Sequence, residues 1–284
     1  MTVRSSIHAA VWGHDWRAEA LMPTLDAAAR IGYDHVVVPL RDFSAVDPEA
    51  LAAAFSQRGL VPLNTCGLSH DKDIGSTDAS VRERGVAHLR HAVALARDMG
   101  SPQIGGVLYG PLGKAAEPAN PEALRHTADC LRQVADTARK AGVRLALEVV
   151  NRYETAVLNT VTKALALLEA INHDAVALHV DTFHMSIEES DPLDALARAM
   201  PRLAYFELDQ SHRGDAFDGS LDLVAWSRRA SELGYDGIVG VEAFSRQRLA
   251  PDHANLLAIW EHRFDDGNQV AENFMRVIRN GFGR

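Results

Sequence analysis

Four acidic residues, Glu148, Asp181, Glu207 and Glu242, each stand at or near the carboxyl end of a short apolar run. The clearest cases are Leu147-Glu148-Val149-Val150-Asn151-Arg152-Tyr153-Glu154 and, about thirty residues on, Asp181-Thr182-Phe183-His184. Apolar, β-branched runs that stop abruptly in charged side chains read as strands buried on both faces, with a polar site where they end. A carboxylate taken out of water is costly unless it is paired or bound to a metal. Four together repel strongly without a cation, so a divalent ion is the economical explanation, and an all-oxygen set suits hard ions such as Mg2+ or Mn2+. Taken singly, each acid has a plainer reading as a helix cap or a salt-bridge partner. Glu207-Leu208-Asp209 leaves open which of its two acids faces inward.

Elements able to position these acids recur along the whole chain. Strand-like runs fall at 6–12, 35–39, 61–65, 103–108, 144–150, 175–181, 203–208 and 238–242. Amphipathic stretches rich in Ala, Leu and Arg lie between them at 20–31, 48–58, 80–99, 121–141, 161–171 and 221–233, with a long final one near 255–280. Several of these end on glycine, at Gly32, Gly59, Gly100, Gly142 and Gly234, the residue that closes a helix in a left-handed conformation. Strict alternation of eight such units points to one closed (β/α)8 barrel spanning residues 1–284, and in that architecture strand ends carry catalytic groups. No Gly-x-Gly-x-x-Gly follows the first strand, which weakens a dinucleotide-binding reading.

Composition narrows the function classes. Apolar residues make up 47% of 284, enough for a large core, and no run approaches the ~18 apolar residues of a membrane span. The start lacks a basic-then-apolar leader, and two cysteines, Cys66 and Cys130, imply no disulfide framework, so the cytoplasm is the default compartment. A net charge of −9 argues against a nucleic-acid partner and mildly favours an uncharged substrate.

The segments at 147–154, Leu158-Asn159-Thr160 and Asp181-Thr182-Phe183-His184-Met185-Ser186-Ile187-Glu188-Glu189 resemble the ketose 3-epimerases, enzymes acting on D-tagatose, D-psicose (D-allulose) and L-ribulose. Ser211-His212-Arg213-Gly214, Val241-Glu242-Ala243-Phe244, Asp73-Ile74-Gly75-Ser76 and the opening Ile7-His8-Ala9-Ala10-Val11-Trp12 continue the resemblance in order. It implies one Mn2+, Mg2+ or Co2+ at the barrel mouth, with Glu148, Asp181 and Glu242 matching three ligands. The fourth position, a His in the family, is Glu207 here, and the His two residues earlier is Tyr205. A carboxylate in place of an imidazole makes the site more anionic, favours hard ions and weakens polarisation of a carbonyl.

The same resemblance implies epimerisation at C3 of a free ketose through a cis-enediolate, with Glu148 and Glu242 exchanging the proton from opposite faces. Glu154, His184 and Arg213 match residues that hydrogen-bond the C1–C2 end of the sugar. Trp12, Cys66 and Leu108, at the ends of early strands, match the wall around the far end. As plainer readings, Glu154 caps the next helix and His184 is a packed strand-end histidine. Cys66 lacks an adjacent His to activate it as a nucleophile, and His88 and His91 read as solvated residues of a basic helix face. An aldose–ketose isomerase using the same enediol chemistry, or a metal-dependent lyase or deglycosidase acting on oxidised sugars, are the competing functions. A homodimer or homotetramer is also implied, with the C-terminal helix and Trp260 as contact elements unless they close the barrel bottom.

Overall fold

Eight parallel strands pair in sequence order, and the last pairs with the first to close a barrel, in the computed structural model, which describes residues 3–283. Met1, Thr2 and Arg284, the ends of the single-domain span read from the sequence, lie outside the described residues. The first half runs β1 (Arg4–His8), α1 (Ala18–Ile31), β2 (His35–Pro39), α2 (Pro48–Ser56), β3 (Val61–Thr65), α3 (Ala79–Met99), β4 (Gln103–Gly106) and α4 (Pro121–Ala141). The second half begins with β5 (Arg144–Val149), α5 (Val161–Ile171), β6 (Val176–Asp181), α6 (Thr182–Glu188) and α7 (Pro192–Ala199). It ends with β7 (Leu203–Leu208), α8 (Leu223–Glu232), β8 (Ile238–Val241), α9 (Pro251–Leu256) and α10 (Gly267–Phe282).

Local chemistry explains most boundaries. Side chains of Asp47, Asp78, Asn120, Thr160 and Asp222 accept hydrogen bonds from backbone N–H groups in the first turns of α2, α3, α4, α5 and α8. Each such cap satisfies a donor that the helix itself leaves orphaned. Gly32, Gly100 and Gly142 close α1, α3 and α4 with φ of 98°, 77° and 70°. No helix among the described residues is long and apolar enough to cross a membrane.

Three expectations change. Residues 9–11 form a 3-10 turn rather than prolonging β1, and β4 stops at Gly106, where φ is 104°. The long final helix begins only at Gly267, capped by Asp266; residues 251–256 form the separate α9. Two short helices after β6 had no counterpart in the sequence pattern. The first starts because Asp181, the last residue of β6, accepts the backbone N–H of Phe183 at 2.6 Å.

One irregularity decides which side chains reach the barrel interior. β6 and β7 pair Leu178 with Leu203, but the next partners are His179 and Tyr205, so Ala204 is an extra residue. Without that shift Asp181 would pair with Phe206. With it, Asp181 pairs with Glu207, and the acids of both strands share one face.

Gly85, inside α3, lies against the loop leading to the barrel mouth. A Cβ there would sit 2.3 Å from the Lys72 carbonyl oxygen and 2.6 Å from Ile74 Cγ2. Gly to Ala inside a helix ordinarily stabilises by about 1 kcal/mol, whereas overpacking costs ~1–3 kcal/mol. Gly85→Ala is therefore expected to lower stability by up to about 2 kcal/mol in urea unfolding. A rise in the unfolding midpoint would show that the loop yields freely.

Candidate active site

The four acids meet at the carboxyl ends of β5 to β8. Ligand-capable atoms of Asp181, Glu207 and Glu242 lie within 4.8 Å of one another. The same holds for Glu148, Asp181 and His184, and for Glu148, His179 and Glu207. Asp181 is fully buried; one of its oxygens caps α6 and the other, Oδ2, has no hydrogen-bond partner. Both members of the Glu207-Leu208-Asp209 pair are buried, Glu207 at the cavity and Asp209 behind it against Arg213.

Crowded carboxylates in a dry place resist ionisation. Burial, and then repulsion from Glu207, holds the Asp181 carboxyl well above the ordinary range. Burial, and then repulsion from Glu242 and Glu148, does the same to Glu207. Glu148 is also raised, by burial first. Glu242 goes the other way: burial pushes it up, but the Arg213 guanidinium, together with His8 and His184, holds it below its usual value. Hard oxygen donors converging around an unpartnered buried Asp181 oxygen fit a divalent cation, which would restore the ionised forms.

Arg213 is the cationic counterweight. Its Nε lies 3.0 Å from Asp209 and its Nη1 3.2 Å from Glu154, while Nη2 contacts Glu242. The guanidinium carbon also sits 4.9 Å from the Phe183 ring centre and 4.8 Å from that of Phe244. To reach these partners its backbone adopts φ of 59°, uncommon for a non-glycine residue. Glu154 is thus an acceptor for Arg213 and for Asn151 Nδ2 at 3.0 Å, rather than a helix cap.

His184 is oriented as well as packed. The Asn151 backbone N–H donates to its Nδ1 at 3.1 Å, which leaves the proton on Nε2, 3.5 Å from Glu148 Oε1. Burial pushes its pKa down to about 4, so the neutral tautomer is the one presented to Glu148.

These groups open onto a cavity of about 430 Å3. Glu148, Glu154, Glu207, Arg213 and Glu242 line one side, and Cys66, Val107, Leu112 and His88 line the other. Trp12 and Leu108 do not line it, which corrects the sequence expectation. Trp12 follows the 3-10 turn and donates its indole N–H to Asn268 at 2.9 Å, whereas Leu108 is 1% exposed in the core. His88 is not a solvated surface residue: its ring stacks on Phe43 at 4.4 Å and its Nε2 lies 3.6 Å from Cys66 Sγ. Cys66 therefore has a histidine neighbour, yet burial pushes its thiol up to about 12, so it serves as wall rather than nucleophile.

The chain after β8 covers the mouth. Leu249, Ala254 and Ile259 pack with Ala10 and Phe244 in a cluster separate from the main core, and His253, Leu256 and Leu257 face the cavity. Trp260 lies in this cover, 63% exposed, with Arg246 over its ring at 5.6 Å, so it does not close the barrel bottom.

Sequence reasoning missed His179, whose Nε2 lies 2.9 Å from Glu207. The signal was present: it stands two residues before Asp181 on β6, hence on the same face of the strand.

Residues 25–265 match the family described as xylose isomerase-like TIM barrel. The chain is 35% identical to a ketose 3-epimerase of Arthrobacter globiformis over 96% of its own length and 94% of that protein. An L-ribulose 3-epimerase of Mesorhizobium japonicum is 34% identical, with 98% and 94% of the two chains covered. The crystal structure of a D-allulose 3-epimerase from Methylomonas sp. in complex with D-allulose superimposes with a TM-score of 0.95 at 31% identity, covering 99% of this chain and 97% of that one. A closed eight-strand barrel, a ring of acids at its mouth and likeness along nearly the whole length agree: the chain belongs to the xylose isomerase-like TIM barrels and, among them, to the ketose 3-epimerases.

Proposed function

We propose that this protein inverts configuration at C3 of a free ketohexose or ketopentose, with Glu148 and Glu242 as the proton-exchanging pair. The observation that carries the reading is their placement: both line one cavity, on β5 and just after β8, with Arg213 and His184 beside them. Glu148, Asp181, Glu207 and Glu242 would hold a divalent ion, Mn2+ or Mg2+ foremost and Co2+ as a further candidate. When bound, it supplies Lewis-acid polarisation of the ketose carbonyl, which lowers the cost of removing a proton at C3.

The side chains divide the remaining work. One glutamate takes the C3 proton from one face of the sugar, and the other returns a proton to the opposite face. Because the reaction is reversible, each must serve as acid and as base. Arg213 holds Glu242 in place and puts positive charge near the oxygen that becomes anionic as the C3 proton leaves. His184, with its proton fixed on Nε2, offers a donor beside Glu148. Glu154, tied to Arg213 and Asn151, is an acceptor for a sugar hydroxyl. Cys66 and the apolar wall accommodate the far end, and the cover keeps bulk water away. A homodimer or homotetramer in the cytoplasm completes the reading.

The decisive experiment is proton NMR of the Mg2+-loaded protein with a panel of free ketoses in D2O. Deuterium entering at C3 while a second ketose grows in is the expected result; exchange at C1 with an aldose product would replace this reading by an isomerase. Glu148→Gln and Glu242→Gln are each expected to lower kcat by roughly 10²–10⁴-fold.

A second prediction concerns metal and pH. Carboxyls raised in the folded state give stability that is fully present below their unfolded pKa of about 4 and is lost as pH rises through the raised values. Bound metal holds them ionised and removes that loss. The gain in Tm from saturating Mg2+ over chelator-treated protein is therefore expected to grow between about pH 5 and pH 8. Comparing the two forms at each pH cancels the contributions of ionisable groups away from the site. A gain that stays flat would count against these carboxyls as ligands.

A further inference from the structure

Glu207 is the least expected member of the acid cluster, and the barrel interior beneath it is built around it. His179 on β6 is 2% exposed, and its Nε2 lies 2.9 Å from Glu207 Oε2. In the ionised form that a bound cation would favour, Glu207 accepts here and the imidazole N–H donates. The Tyr205 hydroxyl, 3% exposed on the neighbouring strand, lies 3.5 Å from the other oxygen, Oε1, and 3.2 Å from Ser6 Oγ. The two rings meet edge to face at 4.7 Å.

Backbone features make room for both rings. A Cβ on Gly240 would lie 2.2 Å from the Tyr205 ring, and one on Gly105 would lie 3.3 Å from His179 Nδ1. The register shift at Ala204 sets Tyr205 beside His179 and Glu207 beside Asp181. Glu207 lines the cavity, whereas His179 and Tyr205 do not. His179 also has its Nδ1 3.9 Å from Glu148 Oε2, so an effect through Glu207 is distinguished from one through Glu148 by whether it disappears when Glu207 is altered.

We infer that His179, supported by Tyr205, is a positioning residue for Glu207: it fixes one carboxylate oxygen from below and leaves the group aimed at Asp181 and Glu242. A glutamate has three side-chain torsions, and a fourth carboxylate in this cluster would otherwise turn away from its neighbours. The donor also spreads the negative charge that a fourth acid adds. The inference rests on the metal-binding reading of these carboxylates given above.

The test is Mn2+ titration of chelator-treated protein, followed by calorimetry and by EPR of the free ion. His179→Leu is expected to weaken Mn2+ binding by roughly 10–100-fold, the usual effect of losing an outer hydrogen bond to a metal ligand. His179→Gln, which restores an N–H at the Nε2 position, is expected to recover most of that loss. Tyr205→Phe keeps the ring, removes only the hydroxyl, and should weaken binding less. In a Glu207→Gln background, His179→Leu should change affinity by less than about twofold, because its effect requires the carboxylate. Equal losses in both backgrounds, or none when Glu207 is present, would overturn the inference. A wild-type protein that binds no Mn2+ would overturn the metal reading and this inference together.

Discussion

Mutual repulsion among buried carboxylates is the constraint on which the rest of this molecule depends. Two like charges ~4 Å apart cost about 4 kcal/mol even at an effective dielectric of ~20, a large part of the ~5–15 kcal/mol by which a domain is stable. The barrel gathers Glu148, Asp181, Glu207, Asp209 and Glu242 within its mouth. Four of the five are given a partner that consumes part of their charge: the start of α6 for Asp181, His179 for Glu207, Arg213 for Asp209 and Glu242. What is left over, such as the free oxygen of Asp181, is the portion available to a cation. The fold thus tolerates a costly cluster by pairing most of its charge, and the unpaired remainder is what a cation could neutralise.

Arg213 shows how much backbone is arranged around a single side chain. It adopts a left-handed conformation, its N–H donates to the Gln210 carbonyl at 2.8 Å, and its own carbonyl accepts from Phe244 at 2.6 Å. The first bond closes a turn within the loop after β7, and the second ties that loop to the loop after β8. Two aromatic rings flank the guanidinium, a contact worth about 0.5–2 kcal/mol per ring. The arginine is therefore held from several sides without any substrate, the arrangement by which fixed charge lowers a barrier instead of reorganising during the reaction.

The sequence carried the barrel clearly, because strand and helix alternate with sharp punctuation and the glycine closures at Gly32, Gly100 and Gly142 stand out. It carried the four acids too, since each ends an apolar run. Three kinds of feature escaped it. The extra residue at Ala204 leaves no local signature, because Leu203 to Leu208 reads as one continuous strand. Trp12 and Leu108 were assigned to the cavity wall by position at strand ends, but a 3-10 turn and the early stop of β4 send them elsewhere. His88 looked solvated on helix α3, and only tertiary packing against Phe43 brings its ring to the cavity. Each miss is a place where long-range geometry, not local pattern, decides direction.

The cover over the mouth has its own small cluster of Leu249, Ala254 and Ile259 on Ala10 and Phe244, detached from the main core. This division separates the packing of the entrance from the packing that holds the charges. Leu256 and Leu257 shape the entrance from a segment that is not part of the strands holding the charges. The size and shape of the entrance are thus set by a short stretch of chain distinct from the one that sets the chemistry.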